Sequence, residues 1–194
     1  MKKIFWLTFV FLAFILITIQ LYNKTYYITD ENICLSNELL KTINKPKIIG
    51  TALDIKQNIN IDNKKYILYT IDKFIGEAEL KKGINNKYKL EYTSFSEDML
   101  QYRVQTTRNG NYFVMDGKNQ DKLISSLKIT IDKRDYTIKV PQQDFFIVYC
   151  PVSKNVQNKF PTSDNLKLLD KSDKDITIDV IKKYEDSKPK ETTQ

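Results

Sequence analysis

The chain has no histidine. That absence removes Ser-His-Asp and Cys-His relays, His-ligated zinc and imidazole pH switching. Arginine is nearly absent too, with three residues against 28 lysines. Arginine supplies the planar fork that reads phosphate and guanine, so nucleic acid is not an expected partner. The formal net charge is +7, yet the lysines are interspersed with Asp and Glu throughout, which describes a solvated mixed-charge surface. Abundant Ile (24) and Asn (15) beside Lys fit an AT-rich coding bias. Small residues are missing where a secretion signal would be cut: Ala13 is the only Ala, Gly or Ser in the first 35 positions.

What is present suits one domain of ordinary size with appendages. The chain has 194 residues, 41% of them hydrophobic and 12% aromatic, enough to bury a core and to exclude wholesale disorder. Met1-Lys2-Lys3 precedes a run from Ile4 to Tyr22 that carries no charge. Nineteen helical residues at ~1.5 Å each approach the ~30 Å hydrocarbon thickness of a bilayer. Two lysines before the run predict residues 1–3 as a cytoplasmic stub, 4–22 as a transmembrane anchor in lipid, and the rest outside the cell membrane. A cleaved signal is the competing reading, and the bulky exit Thr18-Ile-Gln-Leu-Tyr-Asn-Lys argues against it.

Residues 23–29 read as a connector. Thr29 or Asp30 is expected to cap a helix over about 30–44, with Ile33, Asn37, Leu40 and Ile43 on one face beside Leu39, and with Pro46 as its stop. The period then changes to two. Ile49, Thr51, Leu53 and Ile55 alternate; Lys65–Phe74 reads as a central strand; Gly76 interrupts it. Tyr88, Leu90 and Tyr92 fall on one face of the next strand, opposite Lys87, Lys89 and Glu91. Asn109-Gly110 predicts a hairpin, Asp132–Asp135 a second, and Phe145–Cys150 a last strand stopped by Pro151. The expected fold class is α+β: an N-terminal transmembrane helix, one short helix, then a mostly antiparallel curled sheet or partly open barrel of seven or eight strands over residues 30–152. Residues 153–184 read as a charged extension with one docked element near 176–184. The tail 185–194 reads as disordered, and most of 153–175 as dispensable for folding.

No catalytic, cofactor or metal site is expected. Cys34 and Cys150 are candidates for a disulfide, with two buried unpaired thiols as the alternative. Glu77 and Glu79 share one strand face and admit carboxylate chemistry, although pairing with Lys81 and Lys82 at the surface explains them. Asp170, Asp173 and Asp175 lack the Gly and terminal Glu of a calcium loop. Tyr66, Tyr69, Tyr88, Tyr92 and Tyr102 lie on expected strands, either as half-buried sheet residues or as an exposed stripe that stacks on sugar or on a protein.

The stretch Gly76-Glu-Ala-Glu-Leu-Lys-Lys-Gly-Ile-Asn-Asn-Lys-Tyr-Lys89 resembles a Gly-x-Ala-x-Leu-x-Lys-Gly-x-Asn-x-Lys-Tyr pattern of small, uncharacterised membrane-anchored proteins of low-GC Gram-positive bacteria. The resemblance implies a bacterial, cell-surface protein and carries no functional residues across. The expected function is a non-enzymatic, membrane-tethered extracytoplasmic domain that binds an envelope protein or a wall polymer. An accessory subunit of a conjugation, secretion or sporulation apparatus is the alternative. A carboxylate-based hydrolase is a second, and would need a concave site with two acids of raised pKa.

Overall fold

The structure, a computed structural model, describes residues 2–43 and 53–187. Pro46, Ile49, Thr51 and the last seven positions of the tail lie outside the described residues.

The apolar run forms one helix, α1 (Lys2–Thr25). Its stretch Trp6–Thr25 is long and apolar enough to cross a membrane, and none of it is buried in the fold. The hydroxyls of Thr8, Thr18 and Thr25 donate to the carbonyls of Ile4, Phe14 and Leu21 at 2.9, 2.8 and 3.0 Å, so these donors stay satisfied on an apolar surface. The helix takes in the first three residues of the expected connector. The remainder is strand-like: Ile28 pairs antiparallel with Tyr88 through two backbone bonds.

Helix α2 (Asn32–Ile43) packs through Leu35, Leu39 and Ile43, one residue per turn. The expected stripe holds at Leu39 and Ile43, with Leu40 packed beside them, but Ile33 faces solvent and Leu35 takes its place in the core. Asp30 does not cap this helix with its side chain but meets the ammonium of Lys65 at 2.8 Å, while the Glu31 carbonyl accepts the first helical bond from Leu35 N–H.

Ten strands follow among the described residues, in three antiparallel sheets rather than one curled sheet or barrel. Strands β1 (Leu53–Ile61), β2 (Lys64–Ile71), β3 (Phe74–Lys82) and β4 (Tyr88–Ser96) form a meander. Strands β5 (Leu100–Thr106), β6 (Asn111–Lys118) and β9 (Phe145–Val152) form the second sheet. The third contains β7 (Ser126–Ile131), β8 (Arg134–Lys139) and β10 (Leu166–Leu169), in the order β10-β7-β8. Helix α3 (Thr177–Asp186) follows β10.

Tight turns set this topology. The apolar run expected as one strand over 65–74 is broken at Asp72-Lys73, where Asp72 takes φ 50° and reverses the chain. Asp62 (φ 53°) and Asp132 (φ 48°) turn their hairpins the same way, each after an Ile. Asn109-Gly110 does sit in a hairpin loop, but neither residue has positive φ; Thr107 N–H donates to the Gly110 carbonyl at 2.8 Å instead. Gly76 does not interrupt β3. It lies opposite Tyr69, and a Cβ there would fall 2.2 Å from the Tyr69 ring, so the glycine makes room for that ring to lie across the sheet. Pro151 stays within β9, which lies at the edge of its sheet, where a missing N–H is tolerated.

Three apolar layers join the sheets. Leu35, Leu39 and Ile43 of α2 cover Ile67, Tyr69, Ala78 and Leu80 of the meander. The meander's other face meets the second sheet through Leu68, Ile75, Val114 and Ile147. The second sheet turns Phe113, Met115, Phe146 and Val148 onto Leu127, Ile129 and Leu168 of the third. Residues 153–184 therefore lie within the fold: Val156, Leu166, Leu168 and Val180 are buried in this last layer. Asn119, fully buried, ties the crossover into the third sheet by exchanging two 2.9 Å bonds with Ile124.

Candidate functional site

The paired acids of β3 are the natural place to look for chemistry. Strand alternation puts Glu77 and Glu79 on the face that meets the second sheet, where both are buried. They are not surface partners of Lys81 and Lys82. Arg103 of β5 projects between the sheets; its Nη1 bonds Glu77 Oε1 and its Nη2 stands 3.8 Å from Glu79 Oε2. Lys64, at the start of β2, bonds Glu79 Oε1 and lies 3.5 Å from Glu91. Ser94 Oγ donates to Glu77 at 3.3 Å. The Arg103 guanidinium sits over the Tyr92 ring, 4.3 Å from its centroid. Beneath this network the carboxyl of Asp116 is buried with Oδ2 lacking a hydrogen-bond partner, and burial pushes it up to about 8 against the pull of Arg103. Burial also raises the Tyr66 phenol and lowers Arg103.

A groove of about 390 Å³ opens over Arg103 and Glu79, walled by Tyr92, Thr106, Lys159 and the exposed Phe160. Of the two glutamates only Glu79 lines it, bonded to Lys64; Glu77 lies outside the lining, bonded to Arg103. Asp116 does not line the groove. Among the described residues no group of three or more Cys, Asp or Glu is placed to hold a metal ion.

A second cleft, about 410 Å³, lies at the β2–β3 turn, between the start of β9 and the end of α3. Its chemistry differs. Lys56, Lys73 and Lys118 line it, each with its ammonium over a ring: Phe145 at 5.2 Å, Phe74 at 5.6 Å and Tyr184 at 5.9 Å. Asp72 and Glu97 are the acids in its lining, and Glu97 is paired with Lys73. Lys56 points there because it is the extra residue of a β-bulge, between Ile55 and Gln57 in the register with β2. Lys56 is also paired with Asp54 at 2.5 Å, so two of the three ring-seated ammonium groups already meet a carboxylate.

The tyrosines singled out by their strand positions do not form one surface. Tyr66, Tyr69 and Tyr88 are buried; Tyr69 and Tyr88 face α2, and Tyr66 faces the second sheet. The hydroxyl of Tyr69 contacts Thr93 Oγ1 at 2.9 Å, and burial raises its phenol to about 12. Tyr102 is half-buried against the third sheet. Tyr92 alone among them is exposed, and it lies opposite the face of Tyr88 because a bulge at Glu91 shifts the register: Leu80 pairs with Leu90 but Glu79 with Tyr92. Cys34 and Cys150 are free thiols, so the candidate disulfide is not made. Cys34 lies on α2, outside the meander, where Sγ approaches Glu31 at 3.9 Å. Cys150 packs between the second and third sheets, and burial raises it to about 11. Two sheets separate them. The residues that sequence reasoning missed are Arg103 and the ring-seated lysines, which come from three strands and a turn that the sequence does not show meeting.

No protein-family model matches the chain, and neither a curated protein nor a solved structure is significantly similar to it.

Proposed function

We propose that the protein is a non-enzymatic binding domain tethered to the outer face of the cytoplasmic membrane, with α1 as its anchor and an anionic envelope polymer as its ligand. Lys2 and Lys3 before the apolar run support an inward N-terminus. The observation that carries the binding role is the cleft at the β2–β3 turn, where Lys56, Lys73 and Lys118 each lie over a ring and Lys118 stands beside the two that are paired with acids. It stands at the opposite end of β3 from the α1 junction, roughly 26 Å along the strand at ~3.3 Å per residue, and so faces away from the bilayer. The pairing of Glu77 with Arg103 and of Glu79 with Lys64 favours binding over hydrolysis.

The test is titration of the full chain in lipid nanodiscs with a glycerol-phosphate polymer. Binding should weaken with added salt, and the Lys56→Gln/Lys118→Gln variant should bind about tenfold more weakly or worse, since each charge contact contributes on the order of 1 kcal/mol. Equal affinity of variant and parent, or no dependence on salt, would remove the cleft from the account.

A further inference from the structure

The junction between α1 and the sheets is built rather than loose. Tyr22 and Tyr26 stack at 4.6 Å, and the loop between β3 and β4 lies against them. Ile84 N–H donates to Tyr22 Oη at 2.7 Å, and Asn85 Nδ2 donates to Asn23 Oδ1 at 3.0 Å and to the Tyr26 carbonyl at 2.9 Å. Gly83 is required there, because a Cβ would fall 2.6 Å from Tyr22 Oη and 2.7 Å from the Tyr26 ring. The loop is thereby held level with Tyr22, the residue at which the apolar run ends.

At that level Ile84 presents its side chain outward, 89% exposed, the most exposed large apolar residue of the chain's described part. Lys82 and Lys87 flank the loop in sequence and are exposed; Lys24, also exposed, lies at the same end of α1 but off the face that Tyr22 and Tyr26 turn to the loop. No acid occurs in residues 1–29 or in 82–88. An exposed apolar tip flanked by lysines, fixed to the end of an apolar helix, matches the interfacial zone of a bilayer carrying anionic headgroups.

We infer that the loop Gly83–Asn86 is a second membrane contact: Ile84 enters the headgroup region while Lys24, Lys82 and Lys87 meet anionic lipid phosphates, so that the sheets are held at a fixed angle to the membrane instead of swinging on a tether. This rests on α1 crossing the bilayer, and the experiment separates the two. Trp6 is the only tryptophan. The full chain is reconstituted in vesicles containing brominated lipid, as the parent, as Trp6→Phe/Ile84→Trp, and as Trp6→Phe/Phe160→Trp, the last probing an exposed position on the 153–162 loop. Quenching and a blue shift are expected for the parent and for the Ile84→Trp probe, and not for the Phe160→Trp probe. Adding Gly83→Val should abolish quenching of the Ile84→Trp probe. Vesicles of neutral lipid, or the Lys82→Gln/Lys87→Gln variant, should reduce it several-fold, as expected when each lysine favours an anionic surface about fivefold. An Ile84→Trp probe no more quenched than Phe160→Trp, with the parent quenched normally, overturns the second contact and leaves the anchor standing. An unquenched parent overturns both. Quenching indifferent to lipid charge and to the lysine changes rejects the headgroup contacts.

Discussion

Asp116 lies between two sheets with a carboxylate oxygen that meets no hydrogen-bond partner, and its carboxyl holds its proton up to about pH 8. An unfolded Asp loses that proton near pH 4. Between those values the folded state binds more protons than the unfolded one, so this residue makes stability fall as pH rises from about 4 to about 8 and adds nothing further above that. Asp116→Asn removes the titration. We expect the variant to unfold at higher urea than the parent at pH 8, by about 1–3 kcal/mol, and to show a flatter pH profile. Loss of stability at pH 8 without a change in profile would count against a buried neutral carboxyl. Arg103 works in the opposite sense. Arg103→Met leaves Glu77 and Glu79 buried with a guanidinium removed from both, which should cost about 3–5 kcal/mol in the same measurement. An effect below about 1 kcal/mol would mean the network is solvated. The paired glutamates were legible as a shared strand face. Their partner was not: Arg103 stands 26 positions from Glu77 and reaches it only because β4–β5 carries the chain from one sheet to the next.

At the level of elements, most hairpins could be read from turn residues between alternating runs. Two features could not. The Asp72-Lys73 turn hides inside a run of Tyr, Ile and Leu that reads equally well as one long buried strand. The bulges beside Lys56 and Glu91 reverse which side chains face α2, so a uniform alternation assigns Tyr88 and Tyr92 to one face when they lie on two. The same blindness applies to β10, whose four residues Leu166–Leu169 sit in a lysine- and aspartate-rich stretch yet bury Leu166 and Leu168 beside β7. The segment 153–184 therefore contributes to the core, against the expectation that most of 153–175 could be spared. A chain ended after Ser153 loses Val156, Leu166, Leu168 and Val180 from the core. At ~1.5–3 kcal/mol per side chain this is roughly 6–12 kcal/mol, comparable to the whole stability of an ordinary domain. Such a chain should be recovered unfolded, without a protease-resistant core. A folded, resistant product would show that β10 and α3 are ornamental.

For the whole molecule, the layers place α1 and the ring-seated lysines at opposite ends of the meander, with the glutamate–arginine network between them. In the proposed topology α1 spans the membrane and everything from α2 onward lies outside. The direct measurement is protease added to intact protoplasts expressing the full chain, with the sheets followed by an antibody to the folded domain. The proposed topology predicts that the domain is digested while the membrane is intact and that cytoplasmic markers survive. A domain that resists until the membrane is opened, and is then digested, would place it inside the cell and contradict the tether, the ligand and the lipid-facing loop together.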